Sequence, residues 1–343
     1  MTRHPKDTDR WKKIVQSFPN VSITVLADLV ADEFVYGEIA RVSREAPVLI
    51  LKHRERTVVP GGGGNAIMNL AALGVNVLPV GVVGDDEPGH LLIDALHHKK
   101  IPTGGIHRLQ YYTTTTKTRI LAGMSHTSRQ QVIRVDREPE PLDDDHSVLP
   151  DLVEAAREYA TASDALMISD YGYGAATPRL LTFVRSNGYL ANKPVTLDSR
   201  YRMLEFTGAT SATPNEPELE EALRVHIGND GQKLLDAGAE LMKRMHLESL
   251  VITRGRDGMV AFERGAEPEN IPIFGSDQVV DVTGAGDTVI ATFTAALAAG
   301  ADAKTAARLA NLAGGLVVMK RGTATVSGKE LMGAIDQYAT EHA

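Results

Sequence analysis

The chain has 343 residues, of which 43% are hydrophobic and 23% are charged, with a net charge of −8 and no cysteine. This composition is typical of a globular enzyme with a sizeable core, and the absence of cysteine excludes disulfides, thiolate metal sites and a thiol nucleophile. Because the charge is negative and no basic block occurs, we expect neither nucleic acid nor an anionic membrane as a partner.

The chain begins with a polar lead-in, residues 1–20, which contains a short amphipathic stretch and lacks the apolar core of a signal peptide. No apolar run reaches the roughly 18 residues that span a bilayer, so we expect a cytoplasmic protein. Residues 23–27 then form a predicted buried strand, followed by Asp28 and Asp32. Ligands of open α/β sheets gather at such strand ends, so these carboxylates are candidates for binding a hydroxyl-rich molecule. Each is equally typical of a turn.

Two segments, residues 34–59 and 108–135, are rich in β-branched residues and too polar for central strands. We predict that they form a small β-sheet lid. Between them, the glycine run 61–64 and Asn65 precede a helix. This run is a relaxed dinucleotide fingerprint, a place where a sugar approaches the backbone beside Asn65, or a structural turn. We favour the sugar, because the fingerprint normally follows the first core strand.

Beyond residue 141, strands and helices alternate, which predicts a mostly parallel sheet covered on both faces. Asn215 and Glu218 start one of these helices, and they either hold a hydrated Mg²⁺ between phosphates, form a capping box, or do both. Thr253-Arg-Gly-Arg-Asp-Gly258 is by itself an ordinary glycine turn. The chain has no P-loop, nucleophile-elbow or His-Glu-x-x-His sequence. We expect one domain, residues 21–343, carrying the lid.

The segment Asp281-Val-Thr-Gly-Ala-Gly-Asp287 opens a long apolar helix. Gly284 and Gly286 allow the first N–H groups of the helix to face a ligand, and the helix dipole favours an anion there. Asp287 is either a helix cap or a base at the edge of this anion site. Because the whole glycine turn needs an explanation, we favour phosphoryl transfer with Asp287 as the base.

Together these motifs resemble the ribokinase-like (PfkB) carbohydrate kinase family over residues 21–330. The strongest are Gly61-Gly62 with Asn65, Thr213-Pro-Asn-Glu-Pro-Glu218, Thr253-Arg-Gly255 and Asp281-Val-Thr-Gly-Ala-Gly-Asp-Thr288. Other segments are similar to kinases of D-glycero-β-D-manno-heptose 7-phosphate, the kinase half of bifunctional ADP-heptose synthases: Arg41-Val-Ser-Arg-Glu-Ala-Pro47, Thr116-Lys-Thr-Arg119, Ile133-Arg-Val-Asp136, Ser169-Asp-Tyr171 and Arg321-Gly-Thr-Ala-Thr-Val-Ser327. We expect no nucleotidyltransferase half, since the sequence ends at residue 343.

The resemblance implies a ribokinase-like three-layer α/β/α fold, ATP and Mg²⁺ as cofactors, a small sugar as substrate, and a homodimer formed through the lid. It implies that Asp287 is the base and that Gly284, Ala285 and Gly286 stabilise the transferred phosphoryl group. The implied sugar-binding residues are Asp28, Asp32, Gly61, Gly62, Asn65, Asp136 and Asp170. Lys117, Arg119 and Arg134 are candidates for a sugar phosphate, or are simply solvated charges. The implied nucleotide-binding residues are Asn215, Glu218, Thr253, Gly255, Gly258 and Asn311.

The resemblance also implies metal sites. Mg²⁺ would lie at Asn215 and Glu218, through phosphates and water, and a monovalent cation such as K⁺ would lie beside Asp281 and Thr283. Gly172 and Arg200 stand where the heptose kinase pattern has lysines. Fructose phosphate, ribose or a nucleoside are therefore alternative substrates. A nicotinamide-dependent oxidoreductase and a nonenzymatic sugar or nucleotide sensor are the alternatives from other classes.

Overall fold

The structure is a computed structural model that describes residues 5–123, 129–143, 146–275 and 280–342. Residues 1–4 of the expected lead-in and 124–128 of the second expected lid segment lie outside the described residues. The strands are Ser22–Val42 (β1), Leu49–Gly62 (β2), Asn76–Gly84 (β3), Ile106–Leu109 (β4), Thr115–Gly123 (β5), Gln130–Arg137 (β6), Ala165–Asp170 (β7), Val195–Ser199 (β8), Ser211–Ala212 (β9), Ser249–Thr253 (β10), Met259–Glu263 (β11) and Glu269–Ile271 (β12). The helices are Pro5–Ser17 (α1), Gly63–Leu73 (α2), Glu87–His98 (α3), Leu149–Ala162 (α4), Pro178–Ser186 (α5), Glu216–Leu223 (α6), Gly231–Met245 (α7), Ala285–Ala298 (α8), Ala303–Val317 (α9) and Gly328–Glu341 (α10).

The main sheet has the strand order β12-β11-β10-β9-β8-β7-β1-β3-β4. Its pairs are parallel except at one edge, where β10, β11 and β12 form antiparallel pairs. Alternate residues of the central strands face opposite sides, so Ile23 and Met167 belong to one core, and Leu26 and Ile168 belong to the other. One core contains residues of α2, α8, α9 and α10, and the other contains residues of α4 to α7. The prediction of a mostly parallel sheet covered on both faces is confirmed.

The first strand belongs to two sheets. Its residues 22–28 pair with β3 and β7 in the main sheet, whereas residues 29–42 pair with β2 and β5 in a second sheet of order β2-β1-β5-β6. This second sheet is the lid. It includes Leu49–Gly62 on one side and Thr115–Arg137 on the other, apart from the undescribed residues. The expected second segment, 108–135, started too early, because Ile106–Leu109 pairs with β3 in the main sheet.

The N-terminal helix is part of the domain body. Trp11 is only 2% exposed, and its ring lies 5.2 Å from that of Tyr338 in α10. The amphipathic stretch expected within residues 1–20 therefore packs into the core that contains α2, α8, α9 and α10, rather than preceding the domain as a separate lead-in. Among the helices that the structure describes, none has the length and apolar character needed to cross a membrane.

Candidate active site

Asp287 lies in the first turn of α8, and its side chain does not cap the helix. The N-cap is Gly284, with a φ of +76° and no side-chain cap. A left-handed φ of this kind favours glycine, which has no Cβ to clash. The Asp287 carboxylate is buried and accepts hydrogen bonds from two side chains instead of from the first N–H groups of the helix. The capping interpretation of Asp287 is therefore not what the structure shows.

Both oxygens of Asp287 accept hydrogen bonds. Asn65 Nδ2 donates to Oδ2 at 2.8 Å, and the Tyr171 hydroxyl donates to Oδ1 at 3.0 Å. Asn65 is itself held by Asn69, whose Nδ2 donates to Asn65 Oδ1 at 3.2 Å, and Thr288 Oγ1 donates to Asn69 Oδ1 at 3.0 Å. Burial raises the pKa of Asp287 to about 7, although the two donors oppose that rise. A carboxylate with this pKa is suited to general base catalysis near neutral pH.

A cavity of about 140 Å³ adjoins the glycine turn. Its lining includes Gly284, Gly286 and Asp287 from the turn, together with the carboxylates Asp198 and Glu218. No atom lies within 4 Å of the position that a Cβ on Gly286 would take, so the turn is open here. Of the three predicted backbone donors, the Ala285 N–H is turned towards the carbonyl of Val282 at 3.2 Å, and Ala285 does not line the cavity.

Carboxylates surround this cavity. Burial raises the pKa of Asp198 well above its ordinary value, and the charges of Glu218 and Asp287 add to the effect. The pKa of Glu218 is also raised, by burial. Asn215 and Glu218 form the capping box foreseen as one alternative, since each side chain accepts a hydrogen bond from the other residue's backbone N–H.

The fit to Mg²⁺ follows from this donor set. Within the described ranges, no three acidic or histidine side chains are close enough to hold a metal by themselves. The carboxylates of Asp198 and Glu218 and the amide of Asn215 all border the cavity. Such a set suits a hydrated Mg²⁺, which keeps several waters and is bound largely through substrate phosphates. The excess of negative charge in the cavity would also be relieved by a cation.

Asp28 is not available to a sugar. Its side chain is 1% exposed, and its Oδ2 accepts from the N–H groups of Tyr171 and Tyr173 at 2.9 and 3.0 Å. Its Oδ1 accepts from those of Ala175 and Ala176 at 2.9 and 3.2 Å. The prediction that Asp28 binds a sugar hydroxyl is therefore corrected: Asp28 shapes the loop that carries Tyr171. Burial raises its pKa to about 6.

Asp32 faces the lid interior and is ion-paired with Arg119 of β5. Lys117 is buried, lies 5.3 Å from the ring centre of Tyr171, and has a pKa lowered by burial. Arg134 lies further out on β6, where Nε and Nη2 donate to the Asp136 carboxylate at 2.9 and 2.7 Å. The lid thus brings Asp32 and Lys117 close enough for their charges to act on Asp287, whereas Arg134 and Asp136 are paired with each other.

The glycine run belongs to the lid strand and the start of α2. A Cβ on Gly61 would lie 2.3 Å from Asp32 Oδ2, and Gly62 has a φ of +52°. Gly61 pairs with Val30 in the antiparallel β1–β2 ladder. A dinucleotide fingerprint needs the turn after a parallel core strand, so this context argues against the oxidoreductase alternative.

Asp170 ends β7 and is paired within the protein. It forms an ion pair with Arg202, and its Oδ2 accepts from Ser199 Oγ at 2.6 Å. Its side chain is buried, although the residue borders the cavity beside Asp287. The structure therefore places Asp170 next to the predicted site, with its carboxylate already engaged.

The predicted nucleotide-binding residues do not all share one cavity. Thr253 borders the cavity beside Asp287, whereas Asn311 of α9 lines a separate cavity of about 570 Å³ and donates to the Pro272 carbonyl at 2.8 Å. Gly255 and Gly258 flank the turn between β10 and β11, with φ values of +54° and +79°. A Cβ on Gly258 would lie 2.2 Å from the Ile271 carbonyl, so this glycine is needed for the turn itself.

Asp281 and Thr283 border a third cavity, of about 1100 Å³, between the lid and the 321–323 loop. Asp281 accepts from the N–H groups of Thr283 and Gly322, each at 2.9 Å. Burial raises its pKa, but these hydrogen bonds and the charge of Arg119 outweigh that effect and hold the pKa below its ordinary value. An ionised carboxylate here fits a cation beside the glycine turn.

Several side chains of the site were absent from the predicted set, among them Tyr171, Asp198 and Asn69. Tyr171 and Asp198 follow or end core strands, and this position is the signal that marked Asp28 and Asp32. Asn69 lies four residues after Asn65 on α2, so the two amides share one face of the helix.

Comparisons with known proteins identify the family of this chain. The family described as pfkB family carbohydrate kinase matches residues 29–329. The chain is 38% identical over 320 residues to the bifunctional protein HldE of Geobacter sulfurreducens, covering 92% of this chain and 63% of that protein. It is 39% identical over 326 residues to that of a Caulobacter species, covering 95% and 65%. The chain thus spans just under two thirds of the length of these curated relatives.

Solved structures show the same fold. Ribokinase of Arabidopsis thaliana, complexed with ribose and ATP, superposes with a TM-score of 0.71 and 20% identity, covering 92% of this chain and 98% of that one. Phosphofructokinase-2 of Escherichia coli, in complex with potassium, gives a TM-score of 0.73 and 17% identity, covering 93% and 99%. The predicted ribokinase-like fold class is confirmed.

Proposed function

This chain belongs to the pfkB family of carbohydrate kinases, and we propose that it transfers the γ-phosphoryl group of ATP to the anomeric hydroxyl of D-glycero-β-D-manno-heptose 7-phosphate. As a family member, it is a phosphotransferase that acts on an alcohol group of a sugar. The observation that carries the proposal is the buried Asp287 carboxylate, with a pKa of about 7, at the edge of an open glycine turn. The heptose is suggested by the motif resemblance in the lid and by the similarity to the HldE proteins.

In the proposed reaction, the sugar hydroxyl gives its proton to Asp287 as its oxygen attacks the γ-phosphorus. The bond from that phosphorus to the bridging oxygen breaks, and ADP leaves. Asn65 orients the carboxylate through Oδ2, and the N–H groups of Gly284 and Gly286, which border the cavity, stabilise the charge of the transferred group. Phosphoryl transfer depends mainly on such positioning and charge stabilisation. Mg²⁺ held near Asn215 and Glu218 would neutralise phosphate charge, and K⁺ near Asp281 would support the turn.

The sugar is held by the lid in this proposal. Asp32 and Arg119 form an ion pair whose free donors and acceptors can meet sugar hydroxyls, and Lys117 supplies a cation near Tyr171. Arg129 and Arg321 line the 1100 Å³ cavity together with Arg119. This group of arginines supports an acceptor that already carries a phosphate, since arginine binds phosphate through a planar fork of donors.

A homodimer formed through the lid is also part of the proposal. Ile133 and Val135 on β6 are each 52% exposed, and their cross-strand partners are Ile120 and Thr118. Exposed apolar side chains at alternate positions of one lid strand suit an interface between two lids.

A sugar panel tests the proposed function. The purified protein is incubated with Mg²⁺, ATP and each of heptose 7-phosphate, fructose 6-phosphate, ribose and a nucleoside, with Asp287→Asn as the control. We expect ADP release with heptose 7-phosphate, no such release by the variant, and an anomeric phosphate signal in ³¹P spectra. Faster turnover of fructose phosphate would assign a different sugar, in keeping with Arg200 and Gly172 standing where lysines are expected. ADP release with none of the sugars would refute the kinase proposal.

A further inference from the structure

Tyr171 makes the contact with Asp287 that a substrate hydroxyl has to make. A base must accept a hydrogen bond from the hydroxyl that it deprotonates. Each carboxylate oxygen can accept more than one hydrogen bond. Asn65 holds one acceptor position of Oδ2, and the Tyr171 hydroxyl, from a residue that borders the cavity, holds one of Oδ1 at 3.0 Å. A sugar hydroxyl that approaches Asp287 from this cavity therefore meets the Tyr171 hydroxyl beside Oδ1.

The rest of Tyr171 lies where the lid meets the domain body. Its N–H donates to Asp28 at 2.9 Å, which fixes the backbone. Lys117 Nζ lies 5.3 Å from its ring centre, and a Cβ on Gly62 would come within 3.2 Å of its Cε2. Tyr171 also borders the cavity that Gly284 and Gly286 line. The ring thus has lid residues on one side and the predicted phosphoryl site on the other.

We propose that Tyr171 occupies Asp287 in the sugar-free enzyme, that the acceptor hydroxyl displaces it, and that it thereby prevents Asp287 from activating water while ATP is bound. Tyr171 is a positioning residue in this scheme. The proposal rests on the proposed function, because it needs Asp287 to be the base of an ATP-dependent kinase.

The reaction that Tyr171 suppresses is hydrolysis of ATP. In that reaction a water oxygen bonds to the γ-phosphorus, the bond to the bridging oxygen breaks, and the water proton passes to Asp287, giving ADP and phosphate. The 140 Å³ cavity beside Asp287 has room for water. Tyr171 does not replace water as the nucleophile, because burial and the charge of Asp287 hold its pKa well above the ordinary value.

The test compares two phenylalanine variants. Tyr171→Phe keeps the ring against Gly62 and Lys117 but removes the hydroxyl from Asp287. We expect its ratio of sugar-independent ATP hydrolysis to sugar phosphorylation to rise about tenfold, the factor typical of one hydrogen bond to a charged group. We also expect the KM for the sugar to fall, because the sugar no longer displaces a competing hydroxyl.

Tyr173→Phe is the matched control. Tyr173 lies in the same loop and its N–H also donates to Asp28, but its hydroxyl donates to Glu138 at 2.7 Å instead of to Asp287. We expect this variant to keep the wild-type ratio and the wild-type KM. An equal rise of the ratio in both variants would mean that a loosened loop is the cause, and it would overturn the proposal.

The remaining outcomes separate this inference from the proposed function. If the wild type phosphorylates a sugar and Tyr171→Phe has the wild-type ratio and KM, only the inference about Tyr171 fails. If the wild type phosphorylates no sugar, or Asp287→Asn does so at the wild-type rate, the proposed function fails and this inference fails with it.

Discussion

Replacing Asp287 with Asn is expected to remove catalysis and to stabilise the fold. Burial raises the pKa of this carboxyl from 3.8 to about 7. A group whose pKa is raised by folding contributes stability that is fully present below pH 3.8 and is lost as the pH rises to about 7. Since each tenfold change in proton affinity is worth about 1.4 kcal/mol, the ionised carboxylate costs roughly 4 kcal/mol at pH 8.

The variant avoids this cost without leaving a polar atom unpaired. Its Oδ1 can accept from Asn65 Nδ2, and its Nδ2 can donate to the Tyr171 oxygen, which reverses the direction of the bond seen now. We therefore expect Asp287→Asn to exceed the wild type in free energy of unfolding by about 2–4 kcal/mol at pH 8. Turnover should fall by roughly 10²–10⁴-fold, the usual contribution of a general base.

Urea unfolding of both proteins at pH 5 and pH 8 measures the effect. The difference in free energy of unfolding between Asp287→Asn and the wild type should increase from pH 5 to pH 8, because the wild type loses stability over that pH range. Asp281→Asn serves as a control of opposite sign, since the pKa of Asp281 is held low and its charge stabilises the fold at pH 8. An Asp287→Asn protein no more stable than the wild type at pH 8 would refute the buried-charge argument, and near-wild-type turnover would refute the base.

Three further predictions follow from the same geometry. Gly284→Ala should lower the free energy of unfolding by about 1–3 kcal/mol, because the φ of Gly284 is +76° and a Cβ there would lie 2.3 Å from Asn65 Nδ2. Gly286→Ala is the control and should unfold like the wild type, because a Cβ at that position would meet no neighbouring side chain or loop within 4 Å. Equal melting temperatures for Gly284→Ala and the wild type would contradict this. The value of kcat/KM should fall below about pH 7 as Asp287 gains a proton, and a profile that stays flat down to pH 5 would exclude this assignment. Ile133→Lys should convert the proposed dimer to monomers, as measured by light scattering. Tyr111→Lys should leave the mass unchanged, because the Tyr111 side chain is 95% exposed and lies outside the lid strands. An unchanged mass for Ile133→Lys would rule out the lid interface.

The glycine turn could be predicted from the sequence because all its physical demands lie within a few residues. A left-handed Gly284, an open Gly286 and a carboxylate one residue later are contiguous, and the helix that follows them is strongly apolar. The alternation of strands and helices after residue 141 could be predicted for the same reason, since the spacing of apolar residues within each segment indicates a strand or a helix.

The role of Asp28 could not be predicted in this way. Its four hydrogen-bond donors lie in residues 171–176, more than 140 positions along the chain, and no local pattern marks a carboxylate that binds a distant loop. Tyr171 was missed for the same reason, because its partner Asp287 is 116 residues away. A single sequence shows which residues follow a strand, but only the fold shows which of those residues face one another.

Because β1 continues from the main sheet into the lid, a small bend at its base would move the far end of the lid by a large distance. A lid hinged on a flexible loop moves freely, whereas here Ser22–Val42 is a 21-residue strand anchored in the core by its first third. At about 3.3 Å per residue, the part beyond residue 28 extends roughly 45 Å, so a bend of about 10° at its base would displace the tip by roughly 8 Å. Asp32 lies roughly 13 Å beyond residue 28, so the same bend would move it by only roughly 2 Å. Closing such a lid would therefore move its outer arginines over a bound sugar much further than it would move the residues nearest Asp287.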